Sequence, residues 1–281
     1  MRGQSKKTNE TLIQKEREYA RNLISGLNLE KDGDLVLLTP ENAAKIGARI
    51  LLNPRYEKTV DETNENSAKF FIKQLKDGKN LYNRNNIEII IRRINSENST
   101  RMSIIEMERI AKRIIKKAST MKEMKDMLKN KNYPLIDIIA KSIKVKTKDK
   151  EGKECKERNR VNFSFATKFC HYMCFYLFEG RKWQDFYSIY DNIVINVIPE
   201  YEDLFGIRIQ NHDQNKLKPF NKNEWKTPSE YYKIFQVRIG KILVKNGNKI
   251  SRNAFDHIMW YYTKTRKDKE SEETNNDRTD E

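Results

Sequence analysis

The stretch SIIEMERIAKRIIKKA, Ser103 to Ala118, is the strongest constraint on the fold. Ser103 and Glu106 stand three apart, the spacing of a capping box, in which each side chain accepts from the other residue's backbone N–H. Behind them Ile104, Met107, Ile110, Ala111, Ile114 and Ile115 recur at intervals of three and four, which makes one apolar stripe on a helix. The same grammar repeats along the chain. Thr120 with Glu123 opens TMKEMKDMLKN, and Thr227, Pro228 and Glu230 open TPSEYYKIFQVRIGKILVKNG. Thr39 as N-cap and Pro40 in the first helical position open TPENAAKIGARILL. TLIQKEREYARNLISG, SAKFFIKQLKDG, YPLIDIIAKSI and SRNAFDHIMWYY read as further helices. Only DLVLL (Asp34 to Leu38) and NKI near Lys249 suggest extended chain. The spacing predicts an all-α fold, a helical bundle in two parts with minor β at most.

The two parts are separated by composition. KSIKVKTKDKEGKECKERNR, Lys141 to Arg160, carries nine Lys/Arg against four acids and has no apolar period. It reads either as a solvated linker or as a basic arm that follows phosphates. The expected division is an N-terminal helical part at 1–143, the arm at 144–161, a second helical part at 162–263 and a disordered tail at 264–281. The tail holds no apolar residue to offset the cost of ordering it.

Charge narrows the function. The 281 residues carry a net +16, and the segment from Arg101 to Lys131 alone holds ten Lys/Arg against four acids. A field of that sign favours polyanions. DNA is the expected partner and an acidic protein the other candidate. No run approaches the roughly 18 apolar residues of a membrane span, and the N-terminus lacks an apolar signal region, so no membrane partner is expected. Cys155, Cys170 and Cys174 make no disulfide framework, and a reducing, cytoplasmic home is the default.

FSFATKFCHYMCFYLFEGRKWQDFYSIYDNIV, Phe163 to Val194, carries the most chemistry. Phe163, Ala166, Phe169, Cys170, Met173 and Leu177 recur at helical spacing and point to a core. Lys168 stands near the start of that helix, beside Ser164, Ala166 and Thr167. Burial and the helix dipole both disfavour an ammonium there, and a neutral amine is a nucleophile that forms Schiff bases. Asp191 follows 23 residues later, before the apolar NIVINVI, where a carboxylate caps a helix or stabilises a cationic transition state.

NFSFATKFC and SIYDNIV together resemble the helix-hairpin-helix DNA glycosylases. In that family a hairpin of the type L-P-G-V-G-x-K-x-A enters a helix, and an aspartate about twenty residues on caps another. Thr167-Lys168 occupies the family's x-K place and Asp191 the aspartate's place. AFDHIMW is similar to the C-terminal helix of such proteins. Ser164 and Ala166 stand where the family has the hairpin glycines that hold a DNA phosphate, and Phe163 stands where it has proline. The resemblance implies a glycosylase-like second part, a lysine nucleophile at Lys168, a supporting carboxylate at Asp191 and a phosphate contact at Ser164.

The other cations expected on nucleic acid are Lys144, Lys146, Lys148, Arg158 and Arg160 of the arm, and Arg181 and Lys182 of GRKWQDF, where Trp183 is placed to stack on a base. Cys170, His171 and Cys174 lack a fourth metal ligand, and NHDQNK lacks ligand spacing, so no metal is expected. No phosphate-cradling loop or hydrolase motif is present, and no cofactor is expected. Three functions compete: base excision through Lys168; a non-catalytic factor of phage or mobile-element kind that binds nucleic acid or inhibits a nucleic-acid-processing defence complex; or a plain helical interaction module with no nucleic acid.

Overall fold

The computed structural model describes residues 27–51, 67–98, 100–145, 158–190, 192–208 and 227–263. Ten helices account for most of them, and the strands form two small hairpin-like pairs. Among the described residues no helix is long and apolar enough to cross a membrane. The helix expected at 11–26 and the tail at 264–281 lie outside the described residues.

The chain forms two compact units, one of residues 1–57 with 248–281, the other of residues 58–247. In the first unit, β1 (Lys31–Asp32) and β2 (Leu35–Val36) pair antiparallel across a two-residue turn. Gly33 has φ +57° there, the positive angle that such a turn requires at its first central position. Asn42, on α1 (Pro40–Leu51), has no exposed surface. Its amide donates to the carbonyls of Glu30 and Leu37, both at 2.8 Å, and its oxygen accepts from the Glu30 N–H at 3.0 Å. One buried side chain thereby holds the strand pair to the helix.

The second unit contains α2 (Ala68–Lys76), α3 (Arg84–Glu97), α4 (Ile104–Lys117), α5 (Met121–Lys129), α6 (Pro134–Ala140), β3 (Ile143–Val145), β4 (Arg158–Arg160), α7 (Phe163–Leu177), α8 (Asn192–Leu204) and α9 (Pro228–Lys245). A tenth helix, α10 (252–263), belongs to the first unit. The capping boxes read from sequence form on α4, α5 and α9. α7 is the centre. It packs against α2, α3, α5 and α6, and ten of its fifteen residues are buried, including all six read as core-facing. A helix apolar on most of its circumference has to lie inside.

The boundary expected at 144–161 does not separate the units. β3 and β4 pair antiparallel from Ile143 opposite Arg160 to Val145 opposite Arg158, and α6 before them packs on α7 after them. Unit membership follows the helices on either side, which pack on one another through their apolar faces, and not the change in composition between them. The last described helix is likewise grouped with the N-terminal residues and not with the 162–263 part.

Aromatic packing joins the centre to α6 and α9. Tyr133 takes φ +53°, a costly angle for a bulky residue, and its ring meets those of Phe186, Tyr187 and Tyr232 at 4.9–5.6 Å. Asp137 of α6 accepts from Ser229, from the N–H at 2.8 Å and the hydroxyl at 2.7 Å, at the start of α9. Glu202 of α8 and Arg238 of α9 form an ion pair with almost no exposed surface.

Glu97 caps α2 from a distance, accepting from the Ala68 N–H at 2.8 Å. Burial pushes its carboxyl up from 4.5 to about 7, against the pull of that N–H and of Arg93. The folded state therefore keeps a proton that the unfolded state has released between those two values. Stability is greatest below the unfolded value and falls as pH rises through the folded one, by at most about 1.4 kcal/mol per pH unit. Melting temperature should decline between about pH 5 and pH 8, and Glu97→Gln should flatten that decline. Parallel melts of both proteins across this range check it; equal slopes would contradict it.

Candidate nucleic-acid interface

Lys168 sits in the second turn of α7, half-buried between the buried Thr167 and Phe169. The helix starts without a side-chain cap, because the Asn162 amide is turned the other way and donates to Glu106 at 3.2 Å. Thr167 ties the start of α7 to a distant part of the chain. Its hydroxyl donates to the Ser164 carbonyl at 2.8 Å and accepts from the Tyr190 N–H at 3.0 Å. Tyr190 is held there by the rings of Phe163, Tyr231 and Phe235 at 4.5–5.5 Å. The residue before Lys168 and the residue before Asp191 are thus in direct contact. Asp191 itself lies outside the described residues. Ser164 is half-buried, with its carbonyl engaged by Thr167.

The arm begins against α4. Arg109 donates to the Lys144 carbonyl at 3.3 Å, and Arg113 to the carbonyls of Lys141 at 2.6 Å and Ser142 at 3.2 Å. Burial, and then the charge of Arg109, holds the Arg113 guanidinium below its usual range. Arg109, Lys112, Arg113 and Lys116 share one helix face by their spacing of three and four. Lys112, Lys116 and Lys144 are exposed. The result is a seam of cations in which like charges stand side by side, and a polyanion relieves that repulsion.

Not every predicted cation is available to a ligand. Arg160 donates to the carbonyls of Thr100 and Arg101, both at 2.9 Å, and approaches Glu106 at 3.5 Å. It is a strap between β4 and the entrance of α4. Arg158 contributes its backbone to β4, and Lys146 and Lys148 lie outside the described residues.

Arg181 and Lys182 lie in the turn after α7, which Gly180 enters at φ +72°. They meet Lys125 and Lys129 of α5 around a depression of about 320 Å³ whose walls include Phe178 and Trp183. Sequence reading singled out Arg181, Lys182 and Trp183 but missed the two lysines of α5. Their spacing of four put them on one face, yet no local signal said that this face meets the end of α7.

Cys170 and Cys174 are buried thiols, and His171 Nδ1 lies 2.7 Å from the Tyr187 carbonyl. Among the described residues no three His, Cys, Asp or Glu side chains gather as a metal site. No protein-family model, curated protein or solved structure matches the chain.

Proposed function

We propose that this is a nucleic-acid-binding protein of DNA-glycosylase type, in which Lys168 is the amine that attacks the sugar. The observation that supports it is the Thr167–Tyr190 hydrogen bond, which brings the chain entering Asp191 to the turn that carries Lys168. Lys168, half-buried in the second turn of α7, supplies the amine, which is a nucleophile in its neutral form. That amine attacks C1′ of the nucleotide. The glycosidic C1′–N bond breaks, and its electron pair leaves with the base, which takes up a proton. Loss of the amine proton and opening of the sugar ring leave a Schiff base at C1′. The Asp191 carboxylate offsets the positive charge that develops on the sugar.

A second reading rests on the seam along α4: binding without chemistry, to nucleic acid or to an acidic protein surface. Borohydride treatment on a duplex carrying an abasic site separates the two. A covalent adduct supports excision chemistry, and binding without an adduct supports the second reading.

The seam itself has an expected result. Replacing Lys112, Lys116 and Lys144 with Gln should reduce the slope of log affinity against log salt by about 0.9 for each phosphate left without its lysine. A titration that returns the wild-type slope would remove this face from the interface.

A further inference from the structure

The depression at the end of α7 has a composition that Lys168 chemistry does not use. Lys125, Lys129, Arg181 and Lys182 surround it, and none of the four is ion-paired among the described residues. Glu179, two residues before Arg181, is ion-paired elsewhere, with Lys73 at 3.6 Å and Lys76 at 3.2 Å. Lys129 Nζ stands 5.4 Å from the centre of the Phe178 ring, and Lys182 Nζ 5.1 Å from that of Trp183. Such contacts hold the ammonium groups against apolar walls but leave their charge uncancelled. Phe178 is buried, whereas Trp183 is half-buried: the Phe186 ring meets it near-perpendicular at 4.9 Å, and part of the indole stays accessible.

A ligand that suits this site must bring negative charge and a flat apolar body together. A bare phosphate or an acidic side chain answers the charge but leaves the indole uncovered. A paired duplex brings phosphates with its bases already stacked. An unpaired nucleotide supplies both, and about 320 Å³ lies at the small end of the range that encloses a small ligand. We infer that the depression is a subsite for one unpaired nucleotide of a nucleic-acid strand. The base stacks on Trp183, and its phosphate lies among the four cations. This inference rests on the nucleic-acid-binding reading above and adds a preference for unpaired strand.

The test compares two DNA duplexes, one blunt and one ending in a short single-stranded overhang, by fluorescence anisotropy with the full chain. The overhang should strengthen binding about tenfold. Lys182→Glu, at an exposed position where folding is not at stake, should bring the ratio of the two affinities close to one. Trp183→Ala should do the same, and Trp183→Phe should keep most of the ratio. Adenosine monophosphate should compete away the overhang's advantage, and inorganic phosphate at equal concentration should not. Equal affinity for the two duplexes overturns the subsite and leaves the nucleic-acid reading standing. Failure to bind either duplex overturns both. Competition by inorganic phosphate as strong as by the nucleotide overturns the stacking role of Trp183. Displacement by polyglutamate, with no overhang preference, overturns the subsite in favour of an acidic protein partner.

Discussion

Lys168→Gln is expected to take the borohydride-trapped adduct on abasic DNA below detection while DNA affinity changes little. The replacement removes the amine but keeps the length and helix propensity of the side chain, so α7 and its core face are left intact. Asp191→Asn should slow adduct formation on the order of a hundredfold. Asn caps a helix about as well as Asp, so that loss would report chemistry and not the start of α8. The double variant should trap no more and no less than Lys168→Gln alone, because groups that serve one step do not act additively. Melts and salt titrations run on the same preparations separate a chemical defect from a folding or binding one. A Lys168→Gln protein that still forms the adduct at the wild-type rate would remove Lys168 from the mechanism.

The largest expected loss of stability comes from the buried pair of Glu202 and Arg238. Both side chains lie almost wholly out of water, and the Arg238 Nε donates to Glu202 at 2.6 Å. Removing one partner leaves a desolvated charge without the counter-charge that touches it. Glu202→Gln, or Arg238→Met on its own, should therefore cost about 3–5 kcal/mol. Replacing both with apolar residues, Glu202→Leu with Arg238→Met, should recover most of that, since the desolvation cost disappears along with the attraction. The midpoint of urea denaturation at unchanged slope reads the difference. Single variants within about 1 kcal/mol of wild type would mean that water reaches the pair.

The helices were legible because their signals are local. Ser103 with Glu106, Thr120 with Glu123 and Thr227 with Glu230 state where a helix starts within four residues of chain, and all three pairs close as capping boxes. The central helix was legible for a similar reason: its apolar positions recur within one element. What stayed hidden depends on contacts across long separations. β3 (Ile-Lys-Val) and β4 (Arg-Asn-Arg) are three residues each, too short to stand out as strands within a run of charges. Arg109 and Arg113 hold β3 and the two residues before it through backbone carbonyls, and β4 pairs with β3, none of which a side-chain pattern reports. The pairing of Glu202 with Arg238 spans 36 residues, and either one alone reads as an ordinary surface charge. In the candidate site, the sequence places Lys168 on a helix and Arg181, Lys182 and Trp183 in one cluster. That Thr167 would bind Tyr190, and that Lys125 and Lys129 would face Arg181, are products of how the helices pack. Arg160 shows the same limit: its guanidinium donates to the carbonyls of Thr100 and Arg101, contacts that its place in a basic run does not report.

The most direct measurement is peptide mass spectrometry of the wild-type protein after borohydride treatment with an abasic duplex. The account predicts one modified residue, with the sugar remnant on Lys168 in the peptide that spans the start of α7. A remnant on a different lysine, or bound DNA with no remnant at all, would contradict it.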